Sequence, residues 1–345
     1  MYDVNPFSLS FGKEPISNIS RTAQYGEVLE NFMAPNPGYQ VCMITGVRGS
    51  GKTVALTSIA NTIREDKDWI VVDLNPERDL LNSLAAELSS RQELVQMFKD
   101  AKINLSLFGL GLEIDGTAPV TDVVVVLQRM LEKLTQKGKK VLITIDEVVV
   151  SKTIKEFSSQ FQIFMRKNYS VFLLMTGLYE NIYELQNEKT LTFLYRAPKL
   201  ELKPLNIRMV AEKYSKIFGL SDEESLDMAK ITKGYPFAFQ VLGYLCYKNK
   251  TSYIENIAEL DTYLDEYVYE KIWSELSEKD KSVVKAISQC EEKKNERIRK
   301  IVNMDSNAFS VYRNRMIKKG IVTSSSYGYL EFTLPRFEEF VKIYV

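Results

Sequence analysis

Gly46-Val47-Arg48-Gly49-Ser50-Gly51-Lys52-Thr53 is the stretch from which the rest of the chain can be read. It matches G-x-x-x-x-G-K-[ST], a pattern whose glycines let backbone N–H groups turn inward around phosphates. In that pattern Lys52 reaches the β- and γ-oxygens, and the Thr53 hydroxyl ligates Mg²⁺. Just upstream, residues 39–45 (YQVCMIT) form a short apolar run that predicts a buried strand. Downstream, Lys52–Arg64 carries Val54, Ile59 and Ile63 at helical spacing. Such a helix aims the positive end of its dipole at the anion. Position between a strand and a helix separates a phosphate loop from a glycine turn with an incidental lysine. The expectation is a bound nucleoside triphosphate, ATP, with Mg²⁺.

Further along, Trp69–Leu74 (WIVVDL), Lys140–Ile145 (KVLITI), 170–175 (SVFLLM) and 199–202 read as four more strands. Helical stretches at 119–134, capped by Thr121 or Asp122, and at 157–166 lie among them. Near-continuous apolar strands alternating with helices predict an α/β fold, with a parallel sheet covered on both faces. Between the second and third strands, residues 103–114 (INLSLFGLGLEI) alternate apolar and polar residues around two glycines. They predict an inserted β-hairpin, either a partner-facing edge or a packed decoration.

The strand at 141–147 (VLITIDE) ends in Asp146 and Glu147. An open α/β sheet binds its ligand at the C-terminal ends of its strands. There Asp146 would hold the Mg²⁺ shell, and Glu147 would orient or deprotonate an attacking water. Thr176 ends the next strand; its hydroxyl either contacts the γ-phosphate or lytic water, or only caps the strand. Arg196 precedes the fifth strand. It is either a finger reaching the γ-phosphate in a neighbouring subunit or a surface arginine in a local ion pair.

From Pro204 the pattern turns helical, with stretches at 206–218, 221–232, 236–247 and 261–276. Gly234-Tyr235-Pro236 separates two of them: glycine ends one helix, and proline opens the next without wasting an N–H. That is a sufficient structural reason for the tripeptide. A sharper reading places the turn near the nucleotide, reporting its state. From Ser277, helices at 278–288, 295–302 and 307–319 precede short strands at 321–323 and 329–333, the order of a winged helix-turn-helix. Residues 277–345 hold 14 Lys/Arg against 9 Asp/Glu in a chain whose totals are 45 against 45, which leaves the remainder net acidic. Arg313, Arg315, Lys318 and Lys319 lie on the third helix, with Tyr312 and Asn314 between them. That set suits phosphate and groove contacts with duplex DNA. A solvated basic face or a protein-binding surface is the alternative.

Composition removes several chemistries. The chain of 345 residues has no histidine, which excludes Ser-His-Asp and Cys-His nucleophile systems and most zinc sites. Cys42, Cys246 and Cys290 are far apart, without metal-ligand spacing, and read as reduced core thiols. Zero net charge argues against a globally basic nucleic-acid binder. No apolar run approaches the roughly 20 residues needed to span a bilayer, and no signal pattern opens the chain. A cytoplasmic protein without a membrane partner is expected.

Taken in order, the phosphate loop, Asp-Glu strand, threonine strand, pre-strand arginine, Gly-x-Pro turn and winged helix resemble the AAA+-related ATPases. The similarity is to the origin-recognition-complex-like and STAND (signal-transduction ATPase) groups. The opening Asn5-Pro6-Phe7, with Phe11-Gly12 and then Ile19-Ser20-Arg21, is similar to the N-terminal segment of those proteins. The resemblance implies a P-loop NTPase core over 1–203, a helical lid over 204–276 and a winged helix over 277–345. It also implies that Arg21 and its neighbours help seat the adenine and that Pro236 contacts it. Ser20 stands where the group has a glycine before that arginine. No arginine follows Gly-Tyr-Pro in the next helix, so the second sensor arginine of AAA+ enzymes is missing. That absence favours slow, switch-like hydrolysis, in which ATP closes lid on core and reorients the winged helix and hydrolysis at Glu147 resets it. The expected partners are ATP or ADP, duplex DNA, and a second copy or another protein. The alternative is a nucleotide-dependent protein-interaction module in signalling or defence.

Overall fold

A five-stranded parallel sheet organises the half of the chain that contains Lys52, Thr53, Asp146, Glu147, Thr176 and Arg196. The computed structural model describes residues 4–10, 12, 14–101, 122–324 and 326–344. The hairpin expected at 103–114, the helix start at 119–121 and Phe11 lie outside them. Two compact units account for the chain. One contains Thr22–Thr45 and Lys52–Glu201; the other contains Met1–Arg21, Gly46–Gly51 and Leu202–Val345.

In the first unit the order is α1 (Thr22–Met33), β1 (Val41–Thr45), α2 (Lys52–Arg64), β2 (Trp69–Leu74), α3 (Leu80–Ser90), α4 (Gln92–Asp100), α5 (Val123–Gln136), β3 (Lys140–Ile145), α6 (Lys152–Arg166), β4 (Val171–Gly177), α7 (Tyr179–Gln186) and β5 (Lys199–Glu201). The strands lie in the order β2-β3-β4-β1-β5, and every pairing is parallel. β1 and β4 are buried along their whole length, the physical counterpart of their unbroken apolar runs. Asp122 caps α5 by accepting from the Val124 N–H, and Ser151 caps α6 through Ile154. Register places Ile44 beside Thr176 and Ile145 beside Met175. The C-terminal ends of β1, β3 and β4 therefore share one edge of the sheet.

The second unit continues with α8 (Ile207–Phe218), α9 (Asp222–Ile231), α10 (Pro236–Asn249), α11 (Ile257–Leu264) and α12 (Glu270–Ser274). Then come α13 (Glu278–Gln289), α14 (Asn295–Ile301), α15 (Ser306–Lys318), the antiparallel pair β6 (Val322–Thr323) and β7 (Glu331–Phe332), and α16 (Phe337–Lys342). The three helices and hairpin follow the order read from the sequence. α9 opens with a reciprocal capping box between Ser221 and Glu224. Between α11 and α12, Asp265–Tyr269 forms one wider π turn. Phe7 is buried in this unit, stacked on Phe218 with ring centroids 5.7 Å apart. Asn5 and Ser8 hold the same segment to α10 through the Tyr244 carbonyl and the Gln240 side chain. Among the described residues, no helix is long and apolar enough to cross a membrane.

Candidate functional site

At the shared strand edge, Asp146 is held from two sides. The Thr53 hydroxyl, on the first turn of α2, donates to Asp146 Oδ2 at 2.7 Å. The Thr176 hydroxyl, at the end of β4, donates to Asp146 Oδ1. Thr176 is fully buried and also accepts from the Glu147 N–H at 3.1 Å. A hydroxyl has one hydrogen to give, and here the carboxylate takes it. Thr176 thereby orients Asp146 and fixes the first peptide after β3.

That peptide is unusual. Glu147 has φ +54°, a left-handed conformation costly for a residue with a Cβ. The surroundings enforce it: the Glu147 N–H bonds the Thr176 hydroxyl, and the Val148 N–H bonds the Thr176 carbonyl at 2.8 Å. Val148 is buried while the Glu147 side chain stays exposed. The turn presents one carboxylate to solvent while Asp146 is held at the strand end. Lys52, on α2 with Thr53, is buried to 9% exposure. Arg196 is exposed at the end of the turn Thr192–Arg196 and precedes β5.

The glycine-rich part of the loop, Gly46–Gly51, groups with the second unit and is held there from several directions. Arg21 Nη1 donates to the Ser50 carbonyl at 2.9 Å, placing this arginine on the loop backbone. The Tyr235 hydroxyl donates to the Arg48 carbonyl. Tyr235 is 4% exposed, and burial pushes its phenol well up, opposed by Arg48. Gly49 has φ +74°, and a Cβ there would lie 2.0 Å from the Tyr235 hydroxyl. Only glycine satisfies both the turn and the close approach. Pro236 is the nearest neighbour of Gly51, 3.8 Å from the position of a Cβ. Gly234 closes the lid turn with φ +70°, accepting from the Leu205 N–H at 2.8 Å.

Two loop atoms fit an absent anion. Ser50 Oγ and Arg48 Nε are both buried without a hydrogen-bond partner among the described residues, a state that native structures rarely leave unexplained. Donors of this kind suit phosphate oxygens. Thr53 and Asp146 supply hard oxygen donors suited to Mg²⁺. The described residues contain no cluster of three or more acidic or cysteine side chains of the kind that holds a metal without a ligand's help.

Sequence reading singled out the Gly-Tyr-Pro turn but not the Tyr235 side chain. Tyr235 precedes α10 at the capping position, yet makes no capping hydrogen bond. A residue at a cap that does not cap was the available signal. Glu275 pairs with Arg48 at 3.0 Å and carried no sequence signal at all. On the third basic helix, Arg315 is committed to Asp280, at 3.2 and 3.1 Å, and lies over the Tyr312 ring. Arg313 bonds the Asn314 side chain at 3.1 Å. Lys318 is exposed and Lys319 half-buried.

This arrangement has the fold of P-loop NTPases, a parallel sheet with the phosphate loop between its first strand and the helix that follows. The chain is similar to a Walker-type ATPase of Pyrococcus abyssi, with 16% identity and a TM-score of 0.64. That match covers 94% of this chain and 96% of the other. It is similar to the Aeropyrum pernix ORC2 protein, solved as ADPNP–ADP complexes, with 12% identity, coverage of 93% and 90%, and a TM-score of 0.55. It is also similar to Cdc6p of Pyrobaculum aerophilum, with 14% identity, coverage of 99% and 97%, and a TM-score of 0.50. Residues 266–341 match a family described as a domain of unknown function, DUF8462. A search of curated proteins returns no match.

Proposed function

We propose that the chain is a Mg²⁺-dependent, ATP-binding switch that hydrolyses ATP slowly and couples nucleotide state to duplex DNA through its C-terminal module. The hydrogen-bonded series Thr53–Asp146–Thr176–Glu147 at the sheet's C-terminal edge carries the reading. It supplies what a phosphate loop alone does not: a held metal carboxylate beside a presented base. In this reading the backbone of Gly46–Gly51, with Val47, Arg48, Gly49 and Ser50, cradles the phosphates. Lys52 neutralises the β- and γ-oxygens, Thr53 and Asp146 hold Mg²⁺, and Arg21 braces the loop with Pro236 close to Gly51. Glu147 orients or deprotonates the water, and Thr176 acts as a positioning residue. Bound Mg²⁺ would supply charge neutralisation on the transferring phosphoryl group. Arg196 serves as a finger toward a second copy.

Core over 1–203, lid over 204–276 and winged helix over 277–345 are the functional divisions of this reading. Steady-state ATPase assays test it. Lys52→Ala should abolish nucleotide binding, and Glu147→Gln should keep binding but lower turnover about 10²–10⁴-fold. Unchanged turnover in either variant sinks the enzymatic reading. DNA binding rests on Arg313, Lys318, Lys319 and Arg315, and its affinity should fall steeply with salt.

A second reading has a specific observation behind it. Arg315 is occupied within the module, Val311 on the same helix is 58% exposed, and Tyr327 at the hairpin tip is fully exposed. Aromatic and apolar exposure of this kind suits a protein partner in signalling or defence. Duplex DNA binding at low salt, lost in an Arg313→Glu/Lys318→Glu variant, decides for DNA. Its absence decides for protein.

A further inference from the structure

The variable positions of the phosphate loop make contacts that phosphate binding does not require. The Arg48 guanidinium pairs with Glu275, the residue that follows α12 and leads into the C-terminal module. The Arg48 carbonyl accepts from Tyr235 in the lid turn. A Cβ added to Gly320, two residues past the end of α15, would lie 3.4 Å from Val47 Cβ. The bare backbone of that turn therefore packs against the loop. Two successive loop residues are held by three separate parts of the same unit: the lid turn, the end of α12 and the turn after α15.

The Arg48 pairing is weak and incomplete. The Arg48 and Glu275 side chains are 33% and 35% exposed, and an ion pair so open to water contributes little to stability. Arg48 Nε is buried without a partner, as is Ser50 Oγ two residues on. A polyphosphate offers several negative charges and many acceptors where Glu275 offers one carboxylate. Glu275 has a second partner in Lys271, 3.4 Å away on the preceding helical turn. Losing Arg48 would not strand it.

We propose that Arg48–Glu275 is a latch through which occupancy of the phosphate loop controls docking of the C-terminal module. The proposal rests on the nucleotide reading above and adds the contact by which that site is regulated. A polyphosphate in the loop takes Arg48, Glu275 turns to Lys271, and the Gly320 turn loses its seat on Val47. Linkage makes the effect reciprocal: the docked module lowers nucleotide affinity by the factor by which nucleotide loosens the module.

The test uses the full chain, a fluorescent ATP analogue with Mg²⁺, and backbone hydrogen exchange. Glu275→Gln should bind the analogue roughly two- to fivefold more tightly than the wild type. Without nucleotide, its exchange at 316–323 should rise to the level the wild type reaches only with analogue bound. Lys271→Gln, which leaves the latch in place, should not raise exchange there. Binding to the wild type but equal or weaker binding to Glu275→Gln overturns the latch and leaves the nucleotide reading standing. Faster exchange spread over 207–246 as well overturns it too, since that marks general loosening. A wild-type chain that binds no analogue removes the nucleotide reading and the latch together.

Discussion

Glu147 is held in a backbone conformation that suits glycine, and two hydrogen bonds to Thr176 keep it there. The strain is of order 1–3 kcal/mol, and it presents the carboxylate where a base is wanted. Glu147→Gly should leave stability unchanged or raise it by up to about 1 kcal/mol in urea unfolding while eliminating turnover. A loss of stability would mean that the side chain, not the chemistry, accounts for the residue. Thr176→Val keeps the buried volume but removes both hydrogen bonds of its hydroxyl. The Glu147 N–H then has no acceptor and Asp146 loses a donor, so unfolding measurements should show a loss of about 1–3 kcal/mol. The Mg²⁺ requirement of any ATPase activity should shift to higher concentration. Lys52 and Thr53 stood out in the sequence because the loop pattern fixes their types and spacing, and Asp146 because it follows an unbroken apolar strand. Thr176 was legible as a strand-end hydroxyl, but its commitment to Asp146 was not. The Tyr235 contact was hidden for a plainer reason: it joins residues 187 positions apart, and only the fold makes them neighbours.

Among the elements, the third helix of the C-terminal module holds its basic residues in different settings. Four basic residues read as one surface, yet Arg315 is tied to Asp280, which is almost wholly buried. Asp280 also accepts from the Ser277 hydroxyl at 2.8 Å, so the pair locks α15 to the start of α13. Asp280→Ala should destabilise the chain by about 2 kcal/mol in thermal or urea unfolding, since it removes the carboxylate that pairs with Arg315 and accepts from the Ser277 hydroxyl. Any DNA affinity it loses should return at temperatures where the module stays folded. Arg313→Ala or Lys318→Ala should instead weaken DNA binding without moving the melting temperature.

The π turn at Asp265–Tyr269 gives the same unit a pH response. Burial, then the neighbouring Asp261 and Glu270 carboxylates, raise the Asp265 carboxyl from 3.8 to about 6, with Arg336 opposing. The folded chain thus keeps a proton that the unfolded chain gives up. This contribution is full below about pH 4 and is lost as pH rises to about 6. Asp265→Asn should flatten stability across that window and raise it at pH 7, measured by urea unfolding at pH 4, 5, 6 and 7. Periodicity predicted one continuous helix over 261–276 because a single wider turn leaves the apolar pattern almost untouched. β1, β3 and β4 were legible to within about two residues, because strands buried on both faces leave no polar position to blur their ends.

At the scale of the molecule, the two units are not two segments. The second gathers Met1–Arg21, Gly46–Gly51 and everything from Leu202 onward, a grouping no linear reading of composition could reveal. Phe7 and Ile19 belong to the hydrophobic cluster built from the helices beyond Leu205. A fragment ending at residue 203 would leave both without partners. It should give less soluble protein, and bind more apolar dye, than a fragment ending at 276. Gly243 has no side chain because the Phe7 ring occupies that space: a Cβ there would lie 2.3 Å from it. This slot also sets an order of events during synthesis. Asn5 and its partner Tyr244 are 239 residues apart, so at about 5–20 residues per second the opening segment leaves the ribosome roughly 10–50 s before its slot exists. Once β5 at Lys199–Glu201 has been made, and until α10 follows, an aromatic anchor trails from a sheet that can already form, and the segment around Phe7 is open to a chaperone.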